Sequence, residues 1–134
     1  MKRTIAHIGI AVKDLKVAIP VFSGLLGKSP DRTETVDDQK VHTALFTLAD
    51  SAIELLEPTS ADSAVGRFIE KRGEGVHHIS FFVDDIMSEL SRLKRDGFQL
   101  IDEQPRKGAD NCLVAFLHPK STNGVLIEIS QKLE

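Results

Sequence analysis

One hydrophobic pattern occurs twice along the chain. His7-Ile8-Gly9-Ile10-Ala11-Val12 runs into Lys13-Asp14-Leu15, and His78-Ile79-Ser80-Phe81-Phe82-Val83 runs into Asp84-Asp85-Ile86. Apolar or small residues fill both segments after the histidine, the pattern of a strand covered on both faces. Each segment then meets an aspartate suited to cap a helix amino terminus. The stretches that follow close on Gly27 and Gly97, as helix carboxyl ends commonly do. In the second of them Ile86, Leu90 and Leu93 fall on one helical stripe. In the first the stripe is Leu15, Ala18, Ile19, Phe22 and Leu26, with Pro20 inside it. Proline in a helix interior costs about 3 kcal/mol, so this helix is expected to kink at Pro20 or to restart with Pro20 in a first turn.

Each half continues in strands. The first half offers 29–36, 41–48 and 51–57; the second offers a short strand at 98–101, then 113–117 and 125–130. Between the halves, 58–63 reads as a loop. Ser63 then caps a short helix that turns Val65, Phe68 and Ile69 inward and ends at Gly73. The order strand–helix–three strands thus occurs twice. The expected fold is α+β: two tandem βαβββ modules, about 4–57 and 75–131, joined by a linker helix at about 63–72. A chain of 134 residues holds these as one domain.

Composition narrows the function. Apolar residues make up 41% and charged residues 28%, with both signs mixed, as in an ordinary globular protein. The net charge is −3, and no segment carries a basic stripe, so a nucleic-acid partner is not expected. The cluster Arg92, Lys94 and Arg95 sits where it complements a helix dipole. Met1-Lys2-Arg3 followed by apolar residues resembles a short export signal. However, His7 interrupts the run and Lys13-Asp14 end it without a cleavage site. No stretch approaches the ~20 apolar residues of a membrane span. The lone cysteine, Cys112, lies in a strand-like run and reads as a packed core thiol in a reducing compartment. The expectation is a cytoplasmic protein with no membrane partner.

The repeat extends to the last strand of each half, where Ala52-Ile53-Glu54-Leu55-Leu56 corresponds to Leu126-Ile127-Glu128-Ile129-Ser130. A carboxylate among apolar neighbours is costly unless it is paired or bound to a metal. The repeat therefore picks out His7 with Glu54 and His78 with Glu128. A single histidine at a strand start is commonly structural, and a single strand glutamate is commonly solvated. Recurrence of the pair at equivalent places raises the metal reading beside these. If the modules face each other, all four residues form a nitrogen/oxygen set for cobalt, manganese, zinc, nickel or iron.

Three further stretches carry a resemblance. They are Ile53-Glu54-Leu55-Leu56-Glu57-Pro58, Gly73-Glu74-Gly75-Val76-His77-His78-Ile79, and Phe116-Leu117-His118-Pro119-Lys120-Ser121-Thr122-Asn123-Gly124-Val125-Leu126-Ile127-Glu128. With the duplicated module, they resemble the vicinal oxygen chelate superfamily and, within it, the methylmalonyl-CoA epimerases. The resemblance implies a curved mixed sheet around a metal site, with His7, Glu54, His78 and Glu128 as ligands and cobalt as the divalent ion. His78 is chosen over His77 because it aligns with His7, and His77 would point to the other face. His42 reads as incidental.

The reaction implied is interconversion of (R)- and (S)-methylmalonyl-CoA. The proton alpha to the thioester leaves one face and returns on the other, which needs two acid/base groups. Glu128 is the first and Glu54 the candidate for the second. Some family members place a glutamate in the strand that is 41–48 here. The corresponding position in this chain is His42 or Thr43, a departure from that pattern. His118 and Lys120 are candidate substrate contacts, with a turn role beside Pro119 the alternative for His118. Arg106 and Lys107 are candidate phosphate partners or plain surface. The implied partners are an acyl-CoA substrate and a second copy of the chain in a homodimer. Two rival readings are a glyoxalase I-type isomerase with similar ligands and a non-catalytic binding protein of the bleomycin-resistance type.

Overall fold

A computed structural model describes residues 3–134. The export-signal reading rests partly on Met1 and Lys2, which lie outside the described residues. Among the described residues, eight strands and three helices occur in the order β1 (Thr4–Ala11), α1 (Leu15–Leu26), β2 (Arg32–Val36), β3 (Val41–Leu48), β4 (Ser51–Pro58), α2 (Ala64–Arg72), β5 (Gly75–Phe82), α3 (Ile86–Arg95), β6 (Arg106–Lys107), β7 (Cys112–Leu117) and β8 (Ile127–Lys132). The expected α+β fold with a duplicated βαβββ order is what forms. The chain divides into two compact units, His7–His77 and residues 3–6 with 78–134.

In the unit of residues 7–77 the strands run in the order β2-β3-β4-β1. β1 and β4 are parallel, while β3 pairs antiparallel with both β2 and β4. Alternation along these strands sends Ile10 and Val12 of the first segment, Ala44 and Phe46 of β3, and Ile53 and Leu55 of β4 to one face. There they pack with Leu15, Ala18, Ile19, Phe22 and Leu26, the stripe expected for α1. Asp14 caps α1 by accepting from the Lys16 N–H, and Gly27 ends it at φ 69°, a left-handed turn that glycine adopts without strain. Pro20 does not make the helix restart, because α1 runs unbroken from Leu15 to Leu26. Proline removes only the bond to the carbonyl four residues back, at Lys16. Both residues are exposed, so water can take that carbonyl.

In the other unit the order is β5-β8-β7-β6, with β5 and β8 parallel and the remaining pairs antiparallel. Ile86, Leu90 and Leu93 of α3 pack on Ala115, Leu117 and Ile129, as their spacing predicts. Asp85 caps α3 through the Ser88 N–H. Cys112 is buried, as expected of a core thiol. The strand expected at 98–101 is reduced to a single bridge, Leu100 to Leu117. The Phe116 N–H, which a longer strand would occupy, is taken at 2.9 Å by the Asp102 carboxylate. The second strand of this module is instead β6, only two residues long.

The α2 cap forms as expected. The Ser63 Oγ accepts from the Gly66 N–H at 3.0 Å and donates to the Ser60 carbonyl at 2.8 Å. This folds the chain tightly over Gly66, where a Cβ would lie 2.6 Å from the Ser60 carbonyl oxygen. Among the described residues no helix is long and apolar enough to cross a membrane.

Candidate metal centre and active site

The faces turned away from α1 and α3 carry the chemistry. In the unit of residues 7–77 the parallel register sets Gly9 opposite Glu54, so His7 stands one pleat repeat before that pair, on the same face. The His7 Nε2 lies 3.3 Å from the Glu54 Oε1, and Glu54 is only 5% exposed. In the other unit Ser80 stands opposite Glu128, and His78 occupies the position equivalent to His7. Here Nε2 and Oε1 are 3.9 Å apart, with His78 and Glu128 both 3% exposed. One local geometry is therefore built twice: a histidine on the first strand of a module, and a glutamate on the last strand beside the residue two further on.

The structure tests whether such residues fit a cation through the character of the donors. Two deeply buried carboxylates, each with an imidazole nitrogen turned toward it, are expensive in a dry interior and are compensated by positive charge. His7 with Glu54 in one unit, and His78 with Glu128 in the other, each offer an imidazole nitrogen and a carboxylate, donors of the kind that hold a divalent metal ion.

The two strands also separate their neighbours by face. His77 turns its ring edge to Phe68 of α2, with centroids 4.9 Å apart. His78 stands edge-on to Phe116 of β7 at 5.5 Å. His42 is exposed on β3, and its Nδ1 meets the Thr35 hydroxyl at 2.8 Å. His118 caps the short 3-10 turn of Pro119–Ser121, where its Nδ1 accepts from the Lys120 N–H at 3.0 Å. The Lys120 side chain is exposed. Arg106 reaches toward Asp102, with Nε 3.6 Å from Oδ1.

Two residues escape a reading by charge and motif. Ser80 and Ser130 are 0% and 1% exposed, and their hydroxyls meet at 2.7 Å. Ser130 also donates to the Glu128 Oε1 at 3.1 Å. The signal that could have found them is period two: Ser80 follows His78, and Ser130 follows Glu128, by two residues on the site face.

Comparisons with known proteins identify the family. Residues 6–116 match the Glyoxalase/Bleomycin resistance protein/Dioxygenase superfamily. An uncharacterized protein of Bacillus subtilis, YqjC, is 43% identical over 93% of this chain and 89% of its own length. The ethylmalonyl-CoA/methylmalonyl-CoA epimerase of Cereibacter sphaeroides is 37% identical over 93% of this chain and 95% of its own. A solved methylmalonyl-CoA epimerase in complex with methylmalonyl-CoA and ammonium superposes with a TM-score of 0.90 at 36% identity, covering 96% of this chain and 93% of that one. With the duplicated module and its paired His and Glu already in place, this chain belongs to the Glyoxalase/Bleomycin resistance protein/Dioxygenase superfamily and, within it, to the family of the methylmalonyl-CoA epimerases.

Proposed function

We propose that this protein is a divalent-metal-dependent epimerase that interconverts (R)- and (S)-methylmalonyl-CoA. The observation that carries the reading is the repeated His-plus-Glu pair, its carboxylate buried at the equivalent register position in both modules. The two modules make up one domain, and His7, Glu54, His78 and Glu128 are the ligand set. Cobalt is the proposed ion, by likeness to the family. When bound, such an ion supplies Lewis-acid stabilisation to the substrate oxygen that gains charge.

The chain's own residues supply the rest. Epimerisation removes the alpha proton from one face and delivers a proton to the other, so two groups must be able to hold a proton. Glu128 and Glu54 are proposed for these roles. Burial lets each carboxylate act without competition from bulk water, which favours transfer over solvation. His118 and Lys120, beside the last strand, are proposed to touch the acyl-CoA. The protein is proposed to be a cytoplasmic homodimer.

The decisive experiment incubates metal-loaded protein with (S)-methylmalonyl-CoA in deuterated water and follows deuterium at the alpha carbon together with configuration. Exchange with inversion, lost on chelation and restored by a divalent ion, is the expected result. Glu54→Gln should retain metal and lower turnover by at least ~10², the low end for an acid/base group. Near-normal turnover would leave Glu54 as a ligand only. Absence of exchange with every divalent ion would overturn the epimerase reading. Activity on a glutathione hemithioacetal would then indicate a glyoxalase I-type isomerase, and inertness toward both would indicate a binding protein of the bleomycin-resistance type.

A further inference from the structure

The two carboxylate pairs are equivalent in register but not in their surroundings. Around Glu128, the residue two after the histidine is Ser80 and the residue two after the glutamate is Ser130. Around Glu54, the same positions hold Gly9 and Leu56, which carry no hydroxyl. The carboxylate geometry differs accordingly. Glu54 sits 3.3 Å from its histidine nitrogen, whereas Glu128 sits 3.9 Å from its own and accepts from Ser130 at 3.1 Å.

Hydrogen counting gives this contact a direction. A serine hydroxyl has one proton to donate. Ser130 gives its proton to Glu128, because an ionised carboxylate can only accept. In the 2.7 Å contact between the two hydroxyls, Ser80 is therefore the donor and Ser130 the acceptor. The result is a directed chain, Ser80 to Ser130 to Glu128, with every member nine-tenths or more buried. All three lie on one face of two paired strands. Ser80 is the register partner of Glu128, and Ser130 follows it by one pleat repeat.

We propose that Ser130, oriented by Ser80, is a positioning residue that fixes the Glu128 carboxylate, so that the two glutamates are not interchangeable. This inference rests on the epimerase reading for its kinetic consequence. In a low-dielectric interior a charge-assisted hydrogen bond restricts the carboxylate strongly. Partners that orient a metal ligand or reacting group typically govern 10–100-fold in affinity or activity. At the equivalent positions Glu54 has Gly9 and Leu56, and it lies 3.3 Å from the His7 Nε2.

The test compares Ser130→Ala, Ser130→Val and Ser130→Thr in the full chain, with Ser80→Ala as the distal break. Threonine keeps the hydroxyl, and valine matches threonine in shape without it. With methylmalonyl-CoA, the alanine and valine variants should lose about 10–100-fold in kcat with KM within about twofold, while threonine restores most of the rate. Ser80→Ala should fall between them, because Ser130 still donates but loses its own donor. Cobalt(II) titration gives a readout that does not need turnover. The visible absorption of the bound ion should change in the valine variant and return in the threonine variant. Equal kcat and equal cobalt spectra across all the Ser130 variants, with only melting temperatures altered, would overturn the inference. If wild-type protein has no epimerase activity, the epimerase reading fails on its own. The cobalt comparison then still decides the positioning role, since a valine–threonine difference upholds it and identity overturns it. Should the valine variant fail to fold, the alanine and threonine pair makes the same comparison.

Discussion

Replacing Glu128 by glutamine should stabilise the metal-free protein and at the same time remove most of its stabilisation by metal. Glu128 is 3% exposed, and an ionised carboxylate in such a place carries an effective penalty of several kcal/mol. Ser130 offsets part of this with a charge-assisted hydrogen bond of about 1.5–3 kcal/mol. Glutamine keeps the shape and can still accept from Ser130, but it carries no charge, so a net gain of about 1–3 kcal/mol is expected without metal. A chain of 134 residues unfolds with an entropy near 0.28 kcal/mol/K, so Tm should rise by about 4–10 °C. Metal reverses the order. At a free ion concentration of 100 Kd the wild type gains about 2.7 kcal/mol. Loss of a ligand should cost at least the 10–100-fold that orienting partners cost, leaving the variant about 0.4–1.4 kcal/mol. The assay is a pair of thermal melts for each protein, one in chelator and one at fixed cobalt(II). A variant that melts below wild type in chelator, or keeps the full metal-induced shift, would refute the assignment of Glu128 as a buried ligand.

Two further outcomes test the scaffold. Arg92 first, and then Arg3, hold the Glu89 carboxyl below its ordinary value by hydrogen bonding, and Glu89 is 4% exposed. Because the folded value is depressed, this contribution is present above the unfolded value near 4.3 and is lost as pH falls through the folded one. Glu89→Gln should therefore lower stability at pH 7 by about 1–3 kcal/mol, and the gap to wild type should close in melts below about pH 4. A gap independent of pH would show that charge is not its source. Gly66→Ala should destabilise by about 1–3 kcal/mol in urea titration, since its Cβ would meet the Ser60 carbonyl oxygen at 2.6 Å. An unchanged midpoint would show that the 58–63 loop moves aside without cost.

Sequence by itself determined what depends on local period. Leu15, Ala18, Ile19, Phe22 and Leu26 share one side of a helix whatever they meet, and the same holds for Ile86, Leu90 and Leu93. Asp14, Ser63 and Asp85 cap their helices because a short polar side chain at that position reaches the free N–H groups of the first turn. The duplication also pointed to His7, Glu54, His78 and Glu128, because a repeat exposes equivalent positions without any knowledge of contacts. Tertiary structure decided what depends on neighbours far along the chain. Pro20 stays inside α1, at a place where both it and Lys16 are exposed. The strand expected at 98–101 shrinks to a bridge because Asp102 takes the Phe116 N–H. The meeting of Ser80 and Ser130 is of the same kind. Period two places each on the site face, but only the parallel register of β5 with β8 brings two hydroxyls fifty residues apart within 2.7 Å and aims one at Glu128. A hydrogen bond needs a position in space correct to a few tenths of an ångström, and strand pairing, not local pattern, supplies that precision.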